Sequence, residues 1–428
     1  MRIAISEWRW SPDVVRQYAL ARGISDADAE RSFHQLGERV QKSLRLKTPP
    51  FEISLGGVLA KGVAGIVGLD GDFEIEIVPK YASATSPCWR QDLLFMTMLS
   101  KHGNLLLQNQ IKAAPSGAND LASLISEVLL RLFYSNRRTP LKTYHFVQYH
   151  DFALEGEFDA EDLLMPDSEG FEQHRYQFDS NNEFSATVKA AVDVLTRKVR
   201  DPSLLSRLRH LSADIGTVSA KQSGVRRLLP ARLRRWQTLY DLAFDVTRGF
   251  GLAPGGSHHE IPGFVVSTWQ IWEDLIASAL IQAFGSAAVR IQRGHSLGNS
   301  FRGGKNIPIN VIPDNVLVEQ TPPLIVDAKY KGRVEDGAEW IGNADFYEAL
   351  AFMQGVSTNQ AILVYPSTTD VPRTTGTTEV IEKAQLLNGN TVWAVALELN
   401  GISEVGGFLK FVDGLKSQIV TLTHSPIA

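Results

Sequence analysis

The chain of 428 residues is long enough for roughly two to four domains with a sizeable buried core. Apolar residues make up 44% of it and charged residues 21%, which is ordinary for a globular protein and excludes an intrinsically disordered chain. The net charge of −4, taken as a total, argues against a protein that binds nucleic acid through overall positive charge. A small net charge can, however, conceal acidic and basic segments that cancel one another.

Cysteine content and hydropathy exclude further classes of protein. The single cysteine, Cys88, excludes an internal disulfide and any metal site built from several cysteines. No signal-peptide core follows Met1, and no stretch of about 18 uncharged apolar residues could span a bilayer. We therefore expect a cytoplasmic protein that does not enter a membrane.

The first 80 residues predict mainly β structure with one long helix over Asp26–Leu46. The dipeptide Asp70-Gly71 is a two-residue turn signal, so Ala64–Leu69 and Asp72–Val78 are expected to form a hairpin. Residues 1–110 are therefore interpreted as a β-rich amino-terminal domain.

Residues 111–255 are interpreted as a helix-rich middle domain. Apolar residues recur there with helical spacing in three stripes, which predict core-facing helices. These stripes occupy residues 121–133, 188–199 and 233–244. A strand-like interlude covers His145–Phe158, and Leu252–Pro262 is rich in Gly, Pro and Ser and is expected to be a linker.

Residues 256–428 show a mixed pattern of helices and strands. The predicted helices and strands are, in chain order, a helix at 265–284, strands at 288–293, 308–318 and 323–328, a helix at Asn343–Gln354 and a strand at Gln360–Tyr365. The predicted fold class is therefore α+β with several domains, ending in an α/β domain.

Charge is distributed unevenly along the chain. Residues 151–185 contain eleven Asp and Glu residues against one Arg, whereas residues 215–240 and 275–313 contain no acidic residue. A charge run often marks only a solvated face. Two acid-free basic stretches near one candidate site favour contacts with nucleic-acid phosphates. The residues predicted to make them are Arg226, Arg227, Arg234, Arg290, Arg293, Arg302, Lys305 and Lys331.

Two strand-like apolar runs each carry a carboxylate near one end. Asp314 precedes the first, whereas Asp327 lies near the end of the second and is followed two positions later by Lys329. Side chains alternate along a strand, so Asp327 and Lys329 are expected on one face. Two carboxylates suit Mg²⁺, which makes a bound water nucleophilic, and a lysine can polarise that water or neutralise phosphate charge. The pattern predicts metal-assisted phosphodiester cleavage, with Mn²⁺ able to replace Mg²⁺.

A third acid, Glu273, is expected on the preceding helix. It lies four residues after Trp269 and three before Ile276, on a face predicted to be buried. An acid on an apolar face is rarely unpaired. Glu273 is therefore predicted to complete the metal site and to take part in catalysis, while its neighbour Asp274 is expected to face solvent.

The order of these elements resembles the PD-(D/E)XK nuclease superfamily, whose signature matches Pro313-Asp314 followed by Asp327-Ala328-Lys329. A longer resemblance, covering nearly the whole chain, is to the McrC family. The segments that carry it are Ile75–Lys80, Asp92–Met96, Leu154–Asp159, Val326–Lys331, Asp345–Phe352 and Ala361–Pro366.

The McrC resemblance implies the nuclease subunit of a modification-dependent restriction system that acts on 5-methylcytosine DNA. It implies a partner, the AAA+ GTPase McrB, on which residues 1–110 would dock and which they would stimulate. Asp314, Asp327 and Lys329 then match the catalytic triad of the family, and Glu273 matches its helix acid.

The chain departs from the McrC pattern at two helix positions. Glu348 stands where the family usually has Gln, and Phe352 stands where it has Tyr. Whether Glu348 reaches the site or lies on the surface stays open at this point.

No nucleotide is expected to bind to this chain. Around Arg302-Gly303-Gly304-Lys305, Asn299 and Asn306 stand where a phosphate-binding loop of the Walker A type needs Gly and Ser or Thr. Any motor must therefore be a partner. Because cutting both strands of DNA requires two sites, we also expect a homodimer through or near the nuclease domain, acting on double-stranded modified or foreign DNA.

Two other functions stay open. One is a non-enzymatic scaffold that activates the AAA+ partner, and the other is a stand-alone PD-(D/E)XK nuclease. Asp314 and Asp327 could also be turn acids at strand ends. No structural role requires two acids together with Lys329, so the set favours the enzyme.

Overall fold

The computed structural model describes residues 2–70, 73–82, 88–102, 121–158, 161, 168–216, 218–220, 225–247, 264–330, 342–368 and 373–424. The chain divides into two compact units, the first made of residues 1–113 with 249–428 and the second of residues 114–248. The sequence prediction treated 1–110 and 256–428 as separate domains, whereas here both ends of the chain lie in one unit.

A four-stranded sheet explains why the two ends share a unit. In spatial order its strands are β1 (Arg2–Ser6), β5 (Phe73–Val78), β4 (Val63–Asp70) and β8 (Phe264–Ser267). β1 is parallel to β5, and β4 is antiparallel to both of its neighbours. The expected hairpin of β4 and β5 is present, but β8 was predicted to be the start of a helix. It is a strand because its backbone pairs with β4, far away in the sequence.

Two helices and a small hairpin pack beside this sheet. They are α1 (Val14–Arg22), α2 (Asp26–Leu44), β2 (Phe51–Ser54) and β3 (Gly57–Ala60). Ser25 caps α2 by accepting a hydrogen bond from the backbone nitrogen of Asp28. The rings of Tyr18 and Phe73 meet edge to face with centroids 4.8 Å apart, which joins α1 to β5 in a buried apolar core.

The carboxyl-terminal part of the first unit is built on a six-stranded sheet. In spatial order its strands are β15 (Thr378–Gln385), β16 (Thr391–Leu397), β14 (Gln360–Pro366), β13 (Leu324–Ala328), β12 (Asn315–Leu317) and β9 (Val289–Ile291). β13, β14 and β16 run parallel, and the outer pairs are antiparallel. The central strands are buried on both faces, which accounts for their nearly continuous apolar sequence.

Helices and one hairpin complete the first unit. They are α3 (Trp89–His102), α8 (Thr268–Phe284), α9 (Asn343–Val356), α10 (Gly407–His424), β10 (His295–Arg302) and β11 (Lys305–Val311). Helix α8 packs against α3 and α10, and α9 packs against the hairpin. The expected single strand at 308–318 is two strands, β11 and β12, separated by a segment that contains Pro313, which has no backbone N–H to donate.

The second unit is helical with one long hairpin. Its helices are α4 (Leu121–Asn136), α5 (Glu183–Thr196), α6 (Pro202–Ile215) and α7 (Gln237–Thr247), the last preceded by a 3₁₀ turn at Ala231–Trp236. Strands β6 (Thr143–Asp151) and β7 (Phe171–Asp179) pair antiparallel. The three amphipathic stripes lie in α4, in α5 with the turn after it, and in the 3₁₀ turn with α7. Most of their described apolar residues are buried, among them Val128, Val192 and Leu239.

The mixed α+β fold with several sheets confirms the predicted fold class at that level. The expected linker at Leu252–Pro262 lies outside the described residues. Among the helices that the structure describes, none is both long and apolar enough to cross a membrane.

Candidate active site

Strand register brings the two predicted aspartates together. β12 and β13 are antiparallel, with Asn315 opposite Val326. The next pair along the ladder is therefore Asp314 with Asp327. The sequence separates these acids by a whole hairpin connection, and the antiparallel pairing places them side by side.

Two hydrogen bonds fix this pair of acids. The backbone nitrogen of Asp314 donates to Asp327 Oδ1 at 3.3 Å, and the backbone nitrogen of Ala328 donates to Asp314 Oδ2 at 3.0 Å. Asp327 is only 1% exposed, whereas Asp314 is half-buried. Both carboxylates are thus oriented by the backbone of the opposite strand, which restricts their rotamers.

Lys329 lies at the same place, as strand alternation predicts. Its Nζ is 2.7 Å from Asp327 Oδ2 and 2.8 Å from Glu348 Oε2. Glu348 on α9 is 46% exposed in its side chain and therefore reaches the lysine from the solvent side. The open question about Glu348 is answered by this contact: its side chain touches Lys329 directly.

Glu273 on α8 lies within electrostatic reach of the pair. Burial, then the charges of Asp314 and Asp327, raise the pKa of Glu273 to about 8, and Lys329 opposes the rise. The orientation of α8 is set one residue earlier, where Trp272 Nε1 donates to the carbonyl oxygen of Val364 at 3.1 Å. The helix is thus held against strand β14, next to β13.

The environment of α8 differs from the prediction in two places. Trp269, expected on the buried stripe, is 43% exposed, whereas its neighbours Thr268, Ile271 and Trp272 are buried. Asp274, expected to face solvent, is partly buried and accepts a hydrogen bond from Ser100 Oγ on α3. Burial raises the pKa of Asp274, and the Ser100 bond opposes that rise.

The same balance of burial and charge acts on Asp314 and Lys329. Burial, followed by the Asp327 charge, raises the pKa of Asp314 to about 7, although the Ala328 N–H and Lys329 pull it down. Burial lowers the pKa of Lys329, but its ion pairs with Asp327 and Glu348 outweigh this and raise it above the ordinary value. The lysine is therefore charged, and the site as a whole is rich in negative charge.

These residues fit a hard divalent cation by their chemistry. Carboxylate oxygens are the ligands that Mg²⁺ prefers. Burial, and then repulsion among the acids, raises the pKa values of Asp314 and Glu273, and a bound cation would offset both by stabilising the ionised carboxylates. In the described part of the chain, no group of three or more His, Cys, Asp and Glu side chains is arranged to hold an ion. The role of Glu273 as a third ligand stays a prediction.

The predicted phosphate contacts near this site are only partly described. Arg290 donates to the backbone carbonyl oxygens of Ala287 and Val289 at 2.7 and 3.3 Å. Arg293 and Lys305 are exposed, and their side chains make no hydrogen bond or ion pair with other described residues. The side chain of Arg302 and all of Lys331 lie outside the described residues.

Two of the three second-unit arginines that were predicted to contact phosphate form ion pairs within the fold. Arg226 forms two hydrogen bonds of 2.7 and 2.6 Å with the buried carboxylate of Asp241, and Arg227 pairs with Glu183 at 3.0 Å. Arg234 is exposed and pairs with none of the described residues. The sequence could not distinguish these arginines, because nothing in it places Asp241 beside Arg226.

One buried acid near the site was not predicted. Glu7 is 3% exposed and accepts hydrogen bonds from two side chains. One is Thr268, the first residue of α8, and the other is Tyr330, which directly follows Lys329. The sequence around Glu7 shows one acid after a strand, and no local pattern there predicts contacts with residues so far along the chain.

The sequence and the fold were compared with known proteins. A family model described as the McrBC 5-methylcytosine restriction system component matches residues 58–366. No curated protein matches the sequence. A chain in a refined half-complex of the tetradecameric assembly of Thermococcus gammatolerans McrB AAA+ hexamers with bound McrC is similar in fold. The TM-score is 0.66 at 13% identity, over 98% of this chain and 100% of that one.

A second solved structure, the Thermococcus gammatolerans McrBC complex, has a chain that is similar to part of this one. The TM-score is 0.50 at 12% identity, over 66% of this chain and 88% of that one. At sequence identities this low, both similarities are evidence of a shared fold alone.

Proposed function

Since the chain belongs to the family of McrBC 5-methylcytosine restriction system components, we propose that it is the Mg²⁺-dependent DNA endonuclease subunit of such a system. This membership confirms the McrC resemblance on which the sequence prediction rests. The proposal goes further than the family, because it assigns hydrolysis of phosphodiester bonds to particular residues of this chain.

The observation that carries the proposal is the contact of two acids and one lysine. Asp314 and Asp327 are bonded through the backbone of adjacent strands, and Lys329 Nζ lies 2.7 Å from Asp327 Oδ2. Asp327 and Lys329 are paired, but nothing about strand packing requires a second buried acid beside them, since an uncompensated acid destabilises the fold. An acid that is kept although it destabilises the fold is typical of a catalytic site.

Asp314 and Asp327, with Glu273 beside them, would hold the metal. Mg²⁺ held by these carboxylates would activate a water as nucleophile and polarise the scissile phosphate. Lys329 is charged, and its position lets it neutralise charge that develops on the phosphate oxygens in the transition state. Glu348 orients the lysine through the second ion pair.

A PD-(D/E)XK core is the finer fold that we propose for the carboxyl-terminal part. In chain order, helix α8 is followed by strands β9, β12 and β13, helix α9 and strand β14, with the β10–β11 hairpin between β9 and β12. The sequence predicts a helix, three strands, a helix and a strand, and this agreement supports the proposal. Asp314 directly precedes β12, and Asp327 is the next-to-last residue of β13. These positions support the proposal that the two acids are the motif acids of that superfamily.

The partner that we propose is an AAA+ GTPase of the McrB type. The similar structure from Thermococcus gammatolerans contains McrB AAA+ hexamers with bound McrC. For this chain we propose that residues 1–110 dock on the partner and stimulate its NTPase activity. We further propose that the nuclease acts in the cytoplasm on modified or foreign double-stranded DNA, as a homodimer through or near the nuclease domain.

The proposal is tested with plasmid DNA and the purified chain. Methylated and unmethylated plasmid are incubated with Mg²⁺ and GTP or ATP, with and without the AAA+ protein. The expected result is cleavage of methylated plasmid only when Mg²⁺, nucleotide and the partner are all present. NTPase stimulation without cleavage would favour a scaffold instead, and cleavage without the partner would favour a stand-alone nuclease.

A further inference from the structure

A buried carboxylate outside the proposed catalytic set lies at the end of the first strand. Glu7 follows β1 and is 3% exposed. Its Oε1 accepts a hydrogen bond of 2.6 Å from Thr268 Oγ1. Its Oε2 accepts one of 2.7 Å from Tyr330 Oη and one of 3.1 Å from the backbone nitrogen of Lys80. Three donors from three distant segments therefore converge on a single side chain.

Two of these donors belong to the segments that present the site. Tyr330 directly follows Lys329, and its hydroxyl is 2.7 Å from Glu7. Thr268 is the first residue of α8, the helix that carries Glu273. Glu7 therefore ties the end of the lysine-bearing strand to the start of the glutamate-bearing helix.

Lys80 strengthens the same attachment from a second direction. Its Nζ donates to the carbonyl oxygen of Tyr330 and lies 4.3 Å from the centroid of the Tyr330 ring. Tyr330 is thus held at its hydroxyl by Glu7 and at its backbone and ring by Lys80. Tyr330, the residue directly after Lys329, is therefore fixed at its hydroxyl, its ring and its backbone carbonyl.

Burial of Glu7 is unfavourable by itself. Burial raises its pKa, whereas the hydrogen bonds from Thr268, Tyr330 and Lys80 lower it. An apolar residue at this position would fill the same space without that cost. A role beyond packing would explain why an acid stands there.

The same unit offers a matched comparison. Asp92 on α3 is fully buried and accepts hydrogen bonds from the backbone nitrogens of Gly401 and Ser403 and from Ser403 Oγ. These partners lie in the loop before α10. A buried acid that serves only to attach elements of the fold has this form, and it does not touch the segment of Lys329.

We propose that Glu7 is a positioning residue for the nuclease site, acting through Tyr330 and Thr268 to hold Lys329 and Glu273 in register with Asp327. This rests on the proposed function, because it assigns Glu7 a part in that reaction without contact with DNA or metal. The carboxylate comes from the amino-terminal sheet, so this part of the chain helps to shape the site.

The test uses the full chain with its AAA+ partner, methylated DNA and Mg²⁺. Tyr330→Phe removes one hydroxyl, and Glu7→Gln keeps the shape of the side chain and removes its charge. Ser403→Ala is the control, because it removes one hydrogen bond to the other buried acid. Cleavage gives kcat and KM for DNA, and amide hydrogen exchange is measured for residues 324–330 and 268–275.

The expected result is a fall in kcat of roughly tenfold for Tyr330→Phe and for Glu7→Gln, with KM for DNA changed by less than about twofold. The double variant falls no further than the worse single one, because both act through one contact. Exchange accelerates in the two measured segments. Ser403→Ala leaves kcat and exchange in these segments unchanged.

Unchanged kcat and unchanged exchange in stable Tyr330→Phe and Glu7→Gln proteins would overturn the positioning role. So would a loss of kcat no larger than that of Ser403→Ala. If the wild-type complex cleaves no DNA, the proposed function fails, and the exchange measurement alone then decides whether Glu7 holds these segments.

Discussion

Asp314 and Asp327 hold one another through backbone hydrogen bonds, from Asp314 N to Asp327 Oδ1 and from Ala328 N to Asp314 Oδ2. The bonds fix both carboxylates at the end of a buried strand pair, with Lys329 as the cation between Asp327 and Glu348. Glu273 is a further acid beside them, with a raised pKa. Once these acids are ionised, the site carries more negative charge than its lysine neutralises, and several measurable consequences follow.

The first prediction concerns stability against pH without metal. The pKa of Asp314 is raised to about 7 and that of Glu273 to about 8, so between about pH 4 and pH 8 the folded state binds more protons than the unfolded state. The unfolding free energy therefore falls as pH rises through this window, by on the order of 2 kcal/mol for the Asp314 contribution.

Thermal unfolding in EDTA at several pH values measures this slope. Other buried acids such as Asp92, whose pKa is raised to about 6, act in the same direction. The comparison is therefore made with the Asp314→Asn variant, whose unfolding free energy should depend less steeply on pH than that of the wild type. Equal slopes would show that Asp314 does not titrate in this range.

The second prediction concerns divalent cations. Mg²⁺ added at about pH 8 should raise the melting temperature, because a cation bound by Asp314 and Asp327 stabilises the folded state alone. The effect should saturate with Mg²⁺ concentration and disappear in Asp314→Asn. Monovalent salt at matched ionic strength serves as the control, and an equal rise with that salt would contradict a specific site.

The third prediction separates Lys329 from Glu348. Lys329→Ala should lower kcat by about 10² to 10⁴, because the charge that faces the transition state is lost. Glu348→Gln should lower kcat by less than about tenfold, because the ion pair that Glu348 makes within the described residues is with the lysine and its side chain is 46% exposed. The two variants are measured side by side, and an equal loss in both would mean that Glu348 itself takes part in the reaction.

Much of this site could be predicted because its signals are local. Asp327 and Lys329 share one face by strand alternation, and Asp314 directly precedes the neighbouring strand. Helices α4, α5 and α7 of the second unit follow from apolar spacing in the same way. The positions that were wrong depend on distant contacts. Residues 265–267 are a strand because they pair with β4, and Asp274 is partly buried because α8 packs against α3, whose Ser100 donates a hydrogen bond to it.

The same reason explains the residues that the sequence did not single out. Glu7 meets Tyr330 more than three hundred positions further along the chain, and no short-range pattern marks such a pair. Basic runs are similarly ambiguous. Arg226 and Arg234 look alike in sequence, yet only Arg226 has a buried carboxylate as its partner.

The fourth prediction uses this difference between Arg226 and Arg234. Arg226→Ala leaves Asp241, which is 1% exposed, without its guanidinium partner and should lower the unfolding free energy by about 3 kcal/mol. Arg234→Ala should leave stability within about 0.5 kcal/mol of the wild type. Chemical denaturation measures both effects.

DNA binding then tests the predicted phosphate contact of Arg234. Loss of a single contact should weaken binding for all sequences and reduce the slope of log K against log salt by about one. A slope equal to that of the wild type would remove Arg234 from the predicted DNA surface.

The fifth and most direct measurement is DNA cleavage by Asp327→Asn assembled with the AAA+ partner. The substitution keeps the size of the side chain and removes the charge that meets Lys329 and the proposed metal. The account predicts that cleavage of methylated plasmid in Mg²⁺ is abolished while stimulation of the partner's NTPase activity equals that of the wild type. Cleavage at the wild-type rate by this variant would contradict the assignment of the nuclease site.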